Sequence, residues 1–167
     1  VNRVFRQYLA DIILIELSLS YTEEILQKEP FVCVVTGQDG EPNARCATKL
    51  IKHDDEYHIG GQKISITTQN LFLEIGEILI FFPNQKLIQR FYRPNANGNT
   101  ILLTEKCDQV CMMCSQPPKN KDYLHWDLYL EAASLIPHGG TLGVSGGEPT
   151  LYKDQLLQFL IDCIELN

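Results

Sequence analysis

The stretch from Ile101 to Lys121, ILLTEKCDQVCMMCSQPPKNK, decides how this chain is read. A short apolar run stops there, and Cys107, Cys111 and Cys114 follow as C-x3-C-x2-C. One compact loop with that spacing can turn three thiolates towards a common centre, and soft thiolates select zinc, copper(I) or iron-sulfur clusters. A structural zinc site normally takes two pairs of ligands, so an unpaired triplet suits zinc poorly. Three thiolates on a four-iron cube leave one iron open to a ligand other than protein, which an electron-transfer cluster held by four cysteines lacks. Zinc completed by His125, His138 or Cys163 is the competing reading of the triplet.

Further along, Thr141 to Thr150 reads TLGVSGGEPT, with Thr141 to Ser145 as a buried strand and Gly146, Gly147, Glu148 and Pro149 as its end. Two glycines let the backbone come close to a ligand without side-chain obstruction. Glu148 beside them can hold a cationic group such as an amine. Together the triplet and the Gly-Gly-Glu segment resemble the radical S-adenosyl-L-methionine (radical SAM) superfamily. Its signature is a C-x3-C-x2-C loop after the first strand of a β/α barrel and a G-G-E segment at the end of the second. More narrowly, LLTEKCDQVCMMCSQPP followed by GVSGGEPTL is similar to the radical SAM maturase of the His-Xaa-Ser system, with Ser115 to Pro118 carrying the subfamily likeness. The resemblance is dense from Glu77 onwards and thin before it. Asp108 stands where asparagine is expected, and Met113 where the superfamily usually has an aromatic.

The resemblance implies a 4Fe-4S cluster on Cys107, Cys111 and Cys114, with S-adenosyl-L-methionine (SAM) chelated to the open iron. It implies that Gly146, Gly147 and Glu148 hold the methionine amino group, and that the adenine lies around Met113. An external electron donor would reduce the cluster, SAM would be cleaved reductively, and the 5'-deoxyadenosyl radical would take a hydrogen atom from the substrate. The protein would supply orientation, tuning and exclusion of water. The implied substrate is a His-Xaa-Ser repeat precursor peptide or protein, and the implied companion a second radical SAM protein. Two alternatives stand beside this: 7-carboxy-7-deazaguanine synthase-like chemistry on a small molecule, and a non-catalytic metal-binding interaction module.

The expected fold class is α/β: the amino-terminal part of a radical SAM β/α (partial TIM-like) barrel, preceded by a small β-rich domain. Residues 1–93 read as that domain, 94–100 as a linker rich in Pro, Asn and Gly, and 101–167 as two β/α units. A β/α barrel needs roughly 200 residues or more, so the later strands are expected to be missing and the chain to be a fragment. In the amino-terminal part, Phe31 to Thr36, Ala44 to Lys52 and Glu56 to Ile59 read as strands. Ile78 to Phe82 and Leu87 to Tyr92 flank a turn at Pro83 to Lys86 and read as a hairpin. Val4 to Ile13 has helical spacing, while Ile12 to Leu19 has β-branched content, and the pattern leaves the two open.

Ile101 to Thr104 reads as the first barrel strand. Leu124, Leu128, Ala132, Leu135 and Ile136 are expected to form the buried face of the first helix, and Leu156, Leu157, Leu160, Ile161 and Ile164 that of the second. Alternating strands and helices imply parallel pairing, which places both functional loops at one carboxyl edge of the sheet.

Hydrophobic content of 44% and charged content of 21% fit a globular protein. A formal charge of -7 argues against nucleic acid or an anionic membrane as partner, leaving only a local basic patch around Lys86, Arg90 and Arg93. No apolar stretch spans a bilayer, and Asp11 and Glu16 interrupt the only candidate core of a secretory signal. Three of the six cysteines are grouped as ligands, which points to a reducing cytoplasm. Cys33, Cys46 and Cys163 lie among apolar residues and read as small core side chains.

Overall fold

The computed structural model describes residues 12–16, 29–37, 48–54, 56–66, 73–109, 111–114, 122 and 124–166. Seven strands form a closed barrel: β1 (Ile12–Glu16), β2 (Phe31–Thr36), β3 (Lys49–His53), β4 (Glu56–Ile59), β5 (Gln62–Ile66), β6 (Ile78–Phe82) and β7 (Leu87–Tyr92). Their order around the barrel is β1-β5-β4-β3-β2-β6-β7. Strand β1 closes the ring by pairing with β7 through Ile12 to Leu14 and with β5 through Ile15 and Glu16. The ambiguous Ile12 to Leu19 segment is therefore strand over its described part, and its helical alternative falls on residues outside the description. The strand expected from Ala44 begins at Lys49, with residues 44–47 outside the described set.

Two strands explain why the barrel reads as β so clearly. FVCVVT in β2 and ILIFF in β6 are continuous apolar runs because both of their faces are covered. Alternation sends Cys33, Val35, Leu79 and Phe81 to one buried cluster together with Leu50, Ile59, Ile64 and Ile88 from the other strands. Val32, Val34, Ile80 and Phe82 go to a second cluster on the opposite face. Cys33 is a core side chain, as its surroundings in the sequence suggest.

The second cluster joins the barrel to the rest of the chain. Helix α1 (Trp126–Ser134) packs on β2 and β6, and Tyr129 enters the interface fully buried, stacked on Phe91 with ring centroids 6.0 Å apart. Helix α2 (Lys153–Glu165) packs on α1, bringing Phe159 to within 5.8 Å of Trp126 between ring centroids. Residues 94–98 form a pinned turn: the Asn99 side chain accepts from the Arg93 amide (2.8 Å) and donates to the Arg93 carbonyl (3.2 Å).

Strand β8 (Asn99–Leu102) starts two residues before the expected Ile101 and pairs in parallel with β9 (Leu142–Ser145), Leu102 facing Ser145. The order is strand, loop, α1, strand, α2, with the two strands parallel. The helix faces differ from expectation. On α1 the most buried positions include Tyr129 and Ala133 beside Ala132 and Leu135, while Leu124, Leu128 and Ile136 are partly buried. On α2 the inner stripe is Leu156, Phe159 and Cys163, whereas Leu157, Leu160, Ile161 and Ile164 are exposed, Ile164 to 76%. Apolar residues cover two neighbouring stripes of this helix, and periodicity alone does not select the one that meets α1. No helix among the described residues is long and apolar enough to cross a membrane.

Candidate functional site

The parallel ladder of β8 and β9 continues beyond both strands. Leu103 N–H donates to the Ser145 carbonyl (3.0 Å), Gly147 N–H to the Thr104 carbonyl (2.8 Å) and Glu148 N–H to the Lys106 carbonyl (2.8 Å). The Gly-Gly-Glu turn is thus sewn to the segment that ends at Cys107. This is the shared carboxyl edge expected from the strand and helix order.

The glycines also have a local role. A Cβ on Gly146 would lie 2.6 Å from the Thr104 carbonyl oxygen, and one on Gly147 only 2.1 Å from that of Lys106. What they admit is the neighbouring backbone. Gly147→Ala is accordingly expected to push the two segments apart, break both hydrogen bonds of the turn and cost about 1–3 kcal/mol, measurable by urea unfolding.

Glu148 is also committed locally. Its Oε1 accepts from the Thr150 amide (3.0 Å) and the Thr150 hydroxyl (2.6 Å), capping the helical turn Pro149–Tyr152. These two bonds hold its carboxyl below the usual carboxylate range, so it is charged at neutral pH. Both bonds fall on one oxygen, and the other is available for a cationic group.

None of the described cysteines forms a disulfide; Cys107 is half-buried, and Cys111 and Cys114 are exposed. The Cys114 amide donates to the Cys111 carbonyl (3.1 Å), turning the C-x2-C segment back on itself. The Cys107 thiol makes two contacts with Gln109, accepting from its amide (3.4 Å) and donating to its carbonyl (3.5 Å). No three metal-binding side chains are gathered among the described residues. By donor type the three thiols suit a thiolate-held cluster, and a Cys107 thiolate could keep the Gln109 amide bond while losing the donation to its carbonyl. Met113 is 96% exposed, and its neighbour Met112 is equally open.

Two of the side chains offered to zinc as a fourth ligand pack among apolar residues, and His138 lies in the exposed turn after α1. His125 packs against Phe82 and Tyr129, with centroids 5.0 and 6.4 Å away, and burial lowers its pKa. Cys163 sits on the inner stripe of α2. The basic patch loses Arg90, which is buried beside Glu77. Cys46, Ser115 to Pro118, Lys119 and Lys121 lie outside the described residues.

Sequence reasoning missed a polar group at the entry to the cysteine loop, made of Thr104, Lys106, Asp122 and Tyr152. Its only sequence signal is position, since two members precede Cys107 and one follows Glu148. No family model, curated protein or solved structure matches the chain.

Proposed function

We propose that this chain is part of a radical SAM enzyme, with the 4Fe-4S cluster held by Cys107, Cys111 and Cys114, and that its two β/α units begin a barrel. The observation that supports the reading is the stitching of Gly147 and Glu148 to Thr104 and Lys106, which sets the Glu148 backbone against the residue that precedes Cys107. When bound, the cluster supplies the electron for reductive cleavage of SAM. The chain's own residues do the rest. Cys107, Cys111 and Cys114 would hold the cluster, the second carboxylate oxygen of Glu148 would receive the methionine ammonium, and Met113 would offer an apolar surface to the adenine. The resemblance of the cysteine loop points to a His-Xaa-Ser repeat peptide or protein as substrate, a second radical SAM protein as companion and an external electron donor, and the grouping of the cysteines as ligands points to a reducing cytoplasm.

Electron paramagnetic resonance of the anaerobically reconstituted, dithionite-reduced protein, with and without SAM, tests this. A reduced four-iron signal that changes on adding SAM supports it. A zinc-filled silent sample, or a cluster indifferent to SAM, would favour a metal-binding interaction module instead.

Glu148 can be divided into its two roles. Glu148→Gln keeps an oxygen to cap Thr150 but removes the charge, so iron and melting temperature should be retained while SAM binding weakens. Glu148→Ala should weaken SAM binding and lower the melting temperature as well. Equilibrium dialysis with labelled SAM and thermal melts separate the two; equal SAM affinity in all three proteins would remove Glu148 from the site.

A further inference from the structure

We propose that Asp122 is a positioning residue, clamping the entry of the cysteine loop to the exit of the Gly-Gly-Glu turn. Its Oδ1 accepts from the fully buried Thr104 hydroxyl (2.7 Å), and its Oδ2 is paired with Lys106 Nζ. The Thr104 hydroxyl in turn accepts from the Lys106 amide (3.0 Å). Lys106 Nζ also reaches the Tyr152 hydroxyl at 3.4 Å, which ties Tyr152 to the group. An isolated antiparallel bridge between Thr104 and Asp122 fixes the backbones as well.

Three segments far apart in sequence meet in this group. Thr104 and Lys106 lead into Cys107, Asp122 stands just before α1, and Tyr152 ends the turn that Glu148 caps. The same Thr104 and Lys106 offer their carbonyls to Gly147 and Glu148. The clamp therefore grips with side chains the two residues whose backbone carries the loop-to-loop ladder. Among the described residues Asp122 bonds to Thr104 and Lys106, and it acts through them. Charge-assisted bonds of this kind are stronger than neutral ones.

The consequence for SAM chemistry rests on the function proposed above, but the clamp can be tested on the protein without a cluster, so the two ideas fail separately. Amide exchange at Gly147 and Glu148 reads the ladder, and the alkylation rate of Cys107 by iodoacetamide, followed by mass spectrometry, reads the loop. In Asp122→Ala, exchange at both amides should rise roughly tenfold or more, the scale of a lost hydrogen bond to a charged group. Cys107 alkylation should accelerate, while Ile80 and Ile88 in the barrel keep their protection. The charge-swapped pair Lys106→Asp with Asp122→Lys should recover part of the protection. Unchanged exchange at Gly147 and Glu148, or an equal rise at Ile80 and Ile88, would overturn the inference. Should Asp122→Ala fail to fold, Asp122→Asn, which keeps an acceptor for Thr104, and Tyr152→Phe carry the same measurements.

Discussion

Cys111→Ala is expected to lose iron and all reductive cleavage of SAM while the rest of the chain keeps its fold. Cys111 is exposed and makes no core contact, so truncating it removes a ligand and little else. A cube deprived of one of three thiolates has only two protein ligands, below the number such clusters need to persist. The check is iron and sulfide content after anaerobic reconstitution, together with 5'-deoxyadenosine formed from SAM under dithionite. Wild type should hold about four irons per chain, and the variant should hold almost none with an unaltered circular dichroism spectrum. A variant that keeps its iron and still cleaves SAM would sink the proposed function.

The largest stability effect is expected at the buried pair of Glu77 and Arg90. Their side chains are only 2% and 4% exposed, with Arg90 Nε 2.9 Å from Glu77 Oε2. The N–H of that contact is not aligned for a hydrogen bond, so this particular contact is Coulombic. Burial raises the Glu77 pKa above its ordinary 4.5, and the nearby guanidinium offsets only part of that. The folded state thus binds a proton more readily than the unfolded one. Glu77's contribution is most favourable at acid pH and declines as pH rises from 4.5 through its raised value.

Arg90→Ala leaves the carboxylate buried without its cation and should cost about 3–5 kcal/mol at neutral pH and above. The loss should shrink on acidification, because a protonated Glu77 is cheaper to bury. Glu77→Gln instead removes the titrating group while the guanidinium keeps its proton, so its deficit should be largest at acid pH and shrink as pH rises through the raised Glu77 value. The apolar pair Glu77→Leu with Arg90→Met should recover much of the loss. Urea unfolding at three pH values distinguishes these cases, and identical pH profiles for the two single variants would contradict the electrostatic account.

Legibility from the sequence followed physical rules that differ along the chain. The β6–β7 hairpin could be read because its turn residues and two apolar strands are contiguous, and β8 and β9 because a glycine-rich turn bounds the second. Strand β5 was not read, since QKISI is short and mostly polar and gains its place by pairing with β1 and β4. Barrel closure was equally hidden, because the pairing of β1 with β7 joins segments more than seventy residues apart. The outer stripe of α2 was misassigned because apolar side chains occupy both stripes, and only the position of α1 chooses between them.

What the sequence determined by itself is the chemistry on offer: three thiols at fixed spacing, a carboxylate after two glycines, and an alternation that makes the strands parallel. Those are local facts, set by residue type and by periods of two and 3.6. Tertiary structure alone decided that the glycines accommodate backbone, that Glu148 caps a helical turn, and that Asp122 grips Thr104 and Lys106, which in turn reaches Tyr152. Each of these depends on atoms brought within a few ångströms by folding, and no residue announces in sequence which distant carbonyl or hydroxyl it will meet.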